Sequence, residues 1–327
     1  MAKPRIFVTR GLVGTGVDRL ARDAEVSVWP DTDPPPQEVL REHAALSDGL
    51  LTTIADRIDG AFLDAAPRVR AVSQLAVGYD NIDVAAATER GVLICNTPGV
   101  LTDATADLAF ALMLAHARRL FAGDRALREG KWGEWSPVFM LSHDLHGKTL
   151  GIVGLGAIGR AVAERARGFK MPILYWSRSR KPDAEAELGV QWRELDDLLH
   201  EADYVSINLA LSDESRGLIG EREIGLMKPD AVLVNTARGP IVDQEALYRA
   251  LVANRIGGAA LDVFAEEPLP VDHALLALEN VVVSPHVGSA TYETRARMTD
   301  LAVDNLLAFF RGAPPPAPVN PEVLPHP

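Results

Sequence analysis

The chain has 327 residues, 47% of them hydrophobic and 24% charged, which is ordinary for a globular protein and long enough for two domains. A formal net charge of −12 argues against nucleic acid and anionic membranes as partners. A single cysteine, Cys95, excludes an internal disulfide. The N-terminus shows no signal-peptide pattern and the apolar stretch at 108–115 is too short to span a bilayer, so a cytoplasmic location is expected.

The first hundred residues alternate strand and helix signals. Strands are expected over 5–9, 25–29, 49–53, 69–75 and 92–96, and helices over 16–23, 36–46 and 84–90. Such alternation implies a parallel sheet with helices on both faces. Residues 103–120 read as an apolar-rich helix with Thr102 or Asp103 as its N-cap. A second series follows, with strands over 150–153, 173–176, 204–209, 232–236, 259–263 and 281–284. One long helix is expected over 290–310, and the Pro-rich tail from Pro314 reads as an extended, surface-hugging end.

The second series therefore interrupts the first, whose missing closing element the last helix can supply. The expected fold class is α/β, with two doubly wound parallel-sheet domains. A discontinuous, flavodoxin-like substrate domain would comprise 1–100 plus 288–327, and a Rossmann dinucleotide domain 101–287, with a small-ligand cleft between them.

The strongest local signal lies at 149–160. A short apolar strand is followed by Gly154, Gly156 and Gly159 with G-x-G-x-x-G spacing, and then by a helical pattern. The first glycine allows a tight turn, the second lets the backbone approach a pyrophosphate, and the third lets helix and strand pack closely. The helix N-terminus then offers unpaired N–H groups to the phosphates.

Ligands of open α/β sheets bind at the carboxyl ends of strands. Those ends carry Ser177-Arg178, then Ala237-Arg238-Gly239, then Glu266-Glu267-Pro268, and finally Pro285-His286-Val287-Gly288. An arginine, a carboxylate and a histidine on one edge suit the reduction of a 2-keto acid. The arginine grips the substrate carboxylate in bidentate fashion. The histidine donates a proton to the carbonyl oxygen, and the carboxylate orients the ring and stabilises its charged form. Spacing does not separate Glu266 from Glu267.

On these motifs the chain resembles the D-isomer-specific 2-hydroxyacid dehydrogenases, most closely the glyoxylate/hydroxypyruvate reductase branch. The resemblance is carried by Val77-Gly78-Tyr79-Asp80-Asn81-Ile82-Asp83, the segment from Gly147 through Gly159, Val234 through Gly239, Ala260 through Phe264 with Glu267-Pro268, and Ser284 through Gly288. It implies Arg238 as substrate anchor, Glu267 as the partner of the histidine, and His286 as acid/base. It also implies that backbone N–H groups of Val77 and Gly78 hold the substrate carboxylate. Cofactor contacts are expected from Thr102, Gly154, Leu155, Gly156, Ala157, Ile158, Gly159, Ser177, Arg178, Leu209, Thr236, Ala237, Arg238, Asp262, His286 and Gly288. The chain departs from the family at Asn208 and Ala210, where His and Pro are common.

NAD-specific folds place an acid about 20 residues after the glycines, to accept from the ribose 2′-OH. Here the segment reads Ser177-Arg178-Ser179-Arg180-Lys181, with no acid before Asp183. The expectation is NADP(H), with Arg178 as the main anchor and NAD(H) as the lesser cofactor. His143-x-x-His146 lacks the companions of a metal pair, so no metal is expected. Trp132, Trp135, Phe139 and Met140 read either as core or as a dimer-interface loop, with Trp135 reaching a partner's substrate pocket. The apolar helix 103–120 supports a homodimer. The leading function is NADPH-dependent reduction of glyoxylate and hydroxypyruvate to glycolate and D-glycerate. A 3-phosphoglycerate dehydrogenase-type enzyme and a nucleotide-sensing corepressor are the alternatives.

Overall fold

The computed structural model describes residues 2–324 and divides into two compact units, Met1–Leu101 with Ser289–Pro327, and Thr102–Gly288. In the first unit β1 (Arg5–Val8), β2 (Glu25–Val28), β3 (Gly49–Thr52), β4 (Ala71–Gln74) and β5 (Leu93–Cys95) form one parallel sheet in the order β2-β1-β3-β4-β5. β3, β4 and β5 are buried along their whole length, as strands covered on both faces must be, whereas β2 is an exposed edge. Four helices connect them: α1 (Gly16–Asp23), α2 (Gln37–Ala45), α3 (Gly60–Ala65) and α4 (Val84–Glu89). Asp59 and Asp83 start α3 and α4 by accepting from Phe62 and Ala86 N–H. Cys95 is buried in β5, and burial pushes its thiol up to about 12.

A closing helix, Tyr292–Phe310, completes this unit. It begins two residues later than the sequence suggests, because Thr291 caps it by accepting from Thr294 N–H. Gly16 lets α1 come close, since a Cβ there would stand 2.9 Å from Thr299 Cγ2. Arg19 then reaches Asp304 at 2.6 Å. The tail that follows is built in rather than laid on the surface. Pro318 pairs antiparallel with Cys95, Val319 N–H donates to Ile94 O, and Asn320 is buried. The Asn320 side chain accepts from Ile94 N–H at 2.7 Å and donates to Val92 O and Thr88 Oγ1. Three hydrogen bonds, two of them buried, explain why so Pro-rich a segment is held.

The second unit contains β6 (Leu150–Val153), β7 (Ile173–Trp176), β8 (Gln191–Trp192), β9 (Tyr204–Ile207), β10 (Val232–Asn235), β11 (Gly258–Leu261) and β12 (Val281–Val283). All pair in parallel, in the order β12-β11-β10-β9-β6-β7-β8. The order reverses between β6 and β9, so the glycine loop after β6 sits at the topological switch point. The helices are α5 (Thr102–Ala117), α6 (Leu120–Arg128), α7 (Ala157–Gly168), α8 (Pro182–Leu188), α9 (Leu195–Glu201), α10 (Glu221–Leu226) and α11 (Gln244–Val252).

Two expectations need correction here. Thr102 and Asp103 are the first residues of α5 rather than its cap, and the Asp103 carboxylate instead bonds Arg165 at 3.2 Å. The helix also stops at Ala117. Arg119 takes a left-handed backbone, φ 50°, and the chain restarts as α6. Ala106, Ala109, Phe110, Leu112 and Met113 of α5 are all buried within the unit, against the sheet and α7. Its other side keeps apolar residues that the unit does not fully cover, with Ala111 exposed and Leu108 and Leu114 half-buried. No helix among the described residues is long and apolar enough to cross a membrane.

Asn320→Ala should destabilise the first unit by roughly 1–3 kcal/mol, because it strands the buried Ile94 N–H and Val92 carbonyl. Urea unfolding monitored by circular dichroism measures this directly.

Candidate active site

The glycine loop has the geometry a dinucleotide requires. Gly154 has φ +101°, and a Cβ on it would stand 2.8 Å from Asn208 O at the end of β9. A Cβ on Gly159 would overlap the Gly154 carbonyl oxygen, so only glycine lets α7 pack against the turn. Gly156, the N-cap of α7, faces open space and brings no side chain to cap the helix. The first-turn N–H groups are thus left for an outside acceptor. Gly156 and Ala157 are exposed and Ile158 half-buried, whereas the Leu155 side chain lies in the core and leaves its backbone to the loop.

Two buried polar atoms beside this loop lack protein partners, Thr236 Oγ1 after β10 and Asn208 Oδ1 after β9. Buried polar groups are nearly always bonded, so orphans at this edge fit a dinucleotide that completes them. Thr236 belongs to the expected cofactor set. Asn208 does not; its signal in the sequence was its departure from the family pattern. Leu209 packs against the core next to Gly154, and Ala237 N–H is held by Asn235 Oδ1 at 3.0 Å.

The loop after β7 separates its basic residues. Arg180 makes two hydrogen bonds to Glu185, at 2.8 and 2.9 Å, and holds that carboxyl below its usual range. The Lys181 N–H donates to Tyr175 Oη. The Ser177 hydroxyl donates to Ser179 O. Arg178 is exposed, and its charge is felt by Glu214.

At the other end of the edge, Glu267 Oε2 lies 2.6 Å from His286 Nδ1. Its Oε1 accepts from Phe264 N–H at 2.9 Å. Of the two neighbouring glutamates, Glu267 is the one that meets His286, and Glu266 is exposed. Burial pushes the Glu267 pKa up. The bonds from His286 and Phe264, with the charges of His286 and Arg238, outweigh that and leave it lowered. A carboxylate that stays ionised fixes the Nδ1–H tautomer and leaves Nε2 for a reacting oxygen.

Arg238 is brought to this pair by a glycine. A Cβ on Gly239 would overlap the Phe264 carbonyl, so the β10 loop can close on the segment bearing Glu267 only without a side chain there. Asn235 Nδ2 holds Arg238 O at 2.9 Å, which fixes the same turn. His286 itself has φ +54°, a strained backbone for a non-glycine residue.

Asp262 holds that strain. Its Oδ1 accepts from Ser284 Oγ (2.6 Å) and Val287 N–H (2.9 Å), its Oδ2 from Gly288 N–H (2.8 Å), and its backbone O from His286 N–H. Burial raises its pKa against these bonds. The sequence placed Asp262 near the nicotinamide; this loop-holding role was not foreseen, although an acid at a strand end was its signal.

Val77 and Gly78 belong to the first unit, in the loop after β4. Trp135 is 80% exposed and Trp132 56%, so the core reading of that cluster does not hold. Thr102 is half-buried at the start of α5. Among the described residues no group of three or more His, Cys, Asp or Glu is arranged to hold a metal ion.

Comparison with known proteins places the chain in a family. Residues 110–288 match the family model for the D-isomer specific 2-hydroxyacid dehydrogenase NAD binding domain. The chain belongs to the D-isomer-specific 2-hydroxyacid dehydrogenase family. It is 51% identical to a glyoxylate reductase of Korarchaeum cryptofilum over 98% of this chain and 97% of that one. It is 52% identical to a glyoxylate reductase of Aeropyrum pernix, over 99% and 98%. Among solved structures it resembles an NADPH-dependent glyoxylate/hydroxypyruvate reductase of Sinorhizobium meliloti, in complex with NADP and malonate. There the TM-score is 0.87 and the identity 32%, covering all of this chain and 99% of that one. The protein is an oxidoreductase with an NAD(P)-binding domain. Its relatives place it with enzymes acting on small 2-keto and 2-hydroxy acids.

Glu267→Gln should lower kcat/KM for reduction about 10–100-fold. Loss of the adjacent negative charge disfavours the imidazolium. Steady-state rates of the variant and the wild type, measured side by side, check this.

Proposed function

We propose that the protein reduces glyoxylate and hydroxypyruvate to glycolate and D-glycerate with NADPH as reductant. The Glu267–His286 contact carries this reading, because a histidine backed by an ionised carboxylate is the proton donor that a carbonyl becoming an alkoxide needs. The Arg238 guanidinium takes the substrate carboxylate, and in the first unit the backbone N–H groups of Val77 and Gly78 are of a kind that binds a carboxylate. His286 Nε2 passes a proton to the carbonyl oxygen, and Glu267 steadies the charged ring beforehand. Bound nicotinamide supplies the hydride to the carbonyl carbon. The orphaned Thr236 hydroxyl and the open first turn of α7 support residence of the dinucleotide at this edge.

Preference for the 2′-phosphorylated cofactor rests on Arg178. Arg180 is already neutralised by Glu185, so Arg178 is the guanidinium left to meet a phosphate. Initial rates with glyoxylate, hydroxypyruvate, pyruvate and phosphohydroxypyruvate, each with NADPH and NADH, test the reading. The first two substrates and NADPH should give the highest kcat/KM. Arg178→Asp should shift the NADPH/NADH ratio of kcat/KM at least tenfold towards NADH; an unmoved ratio removes Arg178 as the anchor.

A homodimer is proposed as the working form. Its support is the exposed apolar surface of α6 and the segment after it, where Leu120, Phe121, Leu127, Trp135, Val138 and Leu141 are all more than half exposed. An apolar patch of this kind marks an association surface. Sedimentation should give a dimer. Trp135→Ala should raise the KM for 2-keto acid if the loop reaches a partner's substrate site, and an unchanged KM dismisses that part.

A further inference from the structure

We propose that Gln74 is a positioning residue that turns the backbone of Val77–Tyr79 so that its N–H groups face a substrate carboxylate. The proposal deepens the functional reading above and rests on it. Three successive carbonyls of this loop are each taken by an internal donor. Ala76 O accepts from Thr97 N–H at 2.8 Å, Val77 O from Asn96 Nδ2 at 2.8 Å, and Gly78 O from Gln74 Nε2 at 3.0 Å. In a trans peptide the N–H points opposite its carbonyl. The N–H groups of Val77, Gly78 and Tyr79 therefore each point away from the donor that holds the carbonyl of the same peptide. Among the described residues none of the three finds a protein acceptor. Successive N–H groups with their carbonyls drawn away form a concavity suited to an anion.

The clamp at Gly78 matters most. Glycine has the widest backbone freedom, so the Gly78–Tyr79 peptide is the one most able to rotate. A flipped peptide would present a carbonyl to the carboxylate and exchange attraction for repulsion. Gln74 is fully buried at the end of β4, and its own amide is held. Its Oε1 accepts from Thr52 Oγ1 and from Asn81 Nδ2, each at 3.2 Å, while Nε2 also donates to Asn81 Oδ1. Asn81 Nδ2 in turn donates to Asp56 O at 2.6 Å and Thr53 O at 3.2 Å. The buried Asp56 carboxylate accepts from Thr9 Oγ1 and Thr53 N–H. A run of buried polar groups thus ties the ends of β1, β3 and β4 to a single carbonyl. Each member of the run from Gln74 through Asn81 to Asp56 Oδ2 is hydrogen-bonded, and such networks fix geometry.

The test compares the full-length wild type with Gln74→Leu and Gln74→Glu. The Glu variant keeps the shape and the acceptor for Thr52 but offers no N–H to Gly78 O. Each is assayed for kcat and KM with hydroxypyruvate, for KM with NADPH, for inhibition by the non-reacting carboxylate oxamate, and for Tm. The expected result is a rise of about tenfold in both hydroxypyruvate KM and oxamate Ki, as for loss of one good hydrogen bond. At saturation kcat should change less than about threefold, with the NADPH KM unaltered. A folded variant with unchanged KM and Ki, whatever its Tm, overturns the proposal. So does failure of both variants to fold, which would make Gln74 a structural residue. A wild type that reduces neither 2-keto acid fails the functional reading instead, before any variant is compared.

Discussion

A single buried carboxylate holds the catalytic edge of the second unit together. Asp262 takes three hydrogen bonds on its side chain and one on its backbone carbonyl, all from the five residues that follow β12. Without them His286 would not be kept at a positive φ, and its ring would not be set against Glu267. The register of β11 with β12 makes this possible, because Leu261 pairs with Val283 and the two chains leave the ladder side by side. Gly239 does the same on the other flank by admitting the Phe264 backbone. The site follows from two close approaches, one filled by a carboxylate and one by the absence of a side chain.

The sequence made much of this legible. Strands β6 and β7 fall on their expected residues, since both are short apolar runs bounded by turn signals. The later strands were read too long at their carboxyl ends, at 208–209, 236, 262–263 and 284. Leu209, Thr236 and Val263 continue the apolar or β-branched pattern, whereas Asn208, Asp262 and Ser284 do not and were only carried along with it; all of them leave the ladder. β8 escaped notice because two residues show no alternation. The segment 103–120 was read as one helix because nothing in the composition of Arg118-Arg119 announces a left-handed break.

Site residues divide in a similar way. The glycines, Arg238 and His286 are visible because their chemistry is rare at strand ends, whereas only the family resemblance set Glu267 apart from Glu266. Gln74, Asn81 and Asp56 are not, since a buried polar network is recognisable only from who bonds whom. The distinction between Arg178 and Arg180 is also spatial: Glu185, one turn into α8, decides which of two neighbouring cations is neutralised.

The nested arrangement of the two units has a bearing on how the polypeptide matures on the ribosome. The five strands of the first unit emerge early, but the helix that covers them and Asn320, which closes hydrogen bonds along β5, are translated only after the whole inserted unit. The inserted unit is contiguous and can consolidate as soon as it clears the exit tunnel. Of the two units, the one begun first is thus finished second, and its apolar sheet face waits, uncovered, while the other is made.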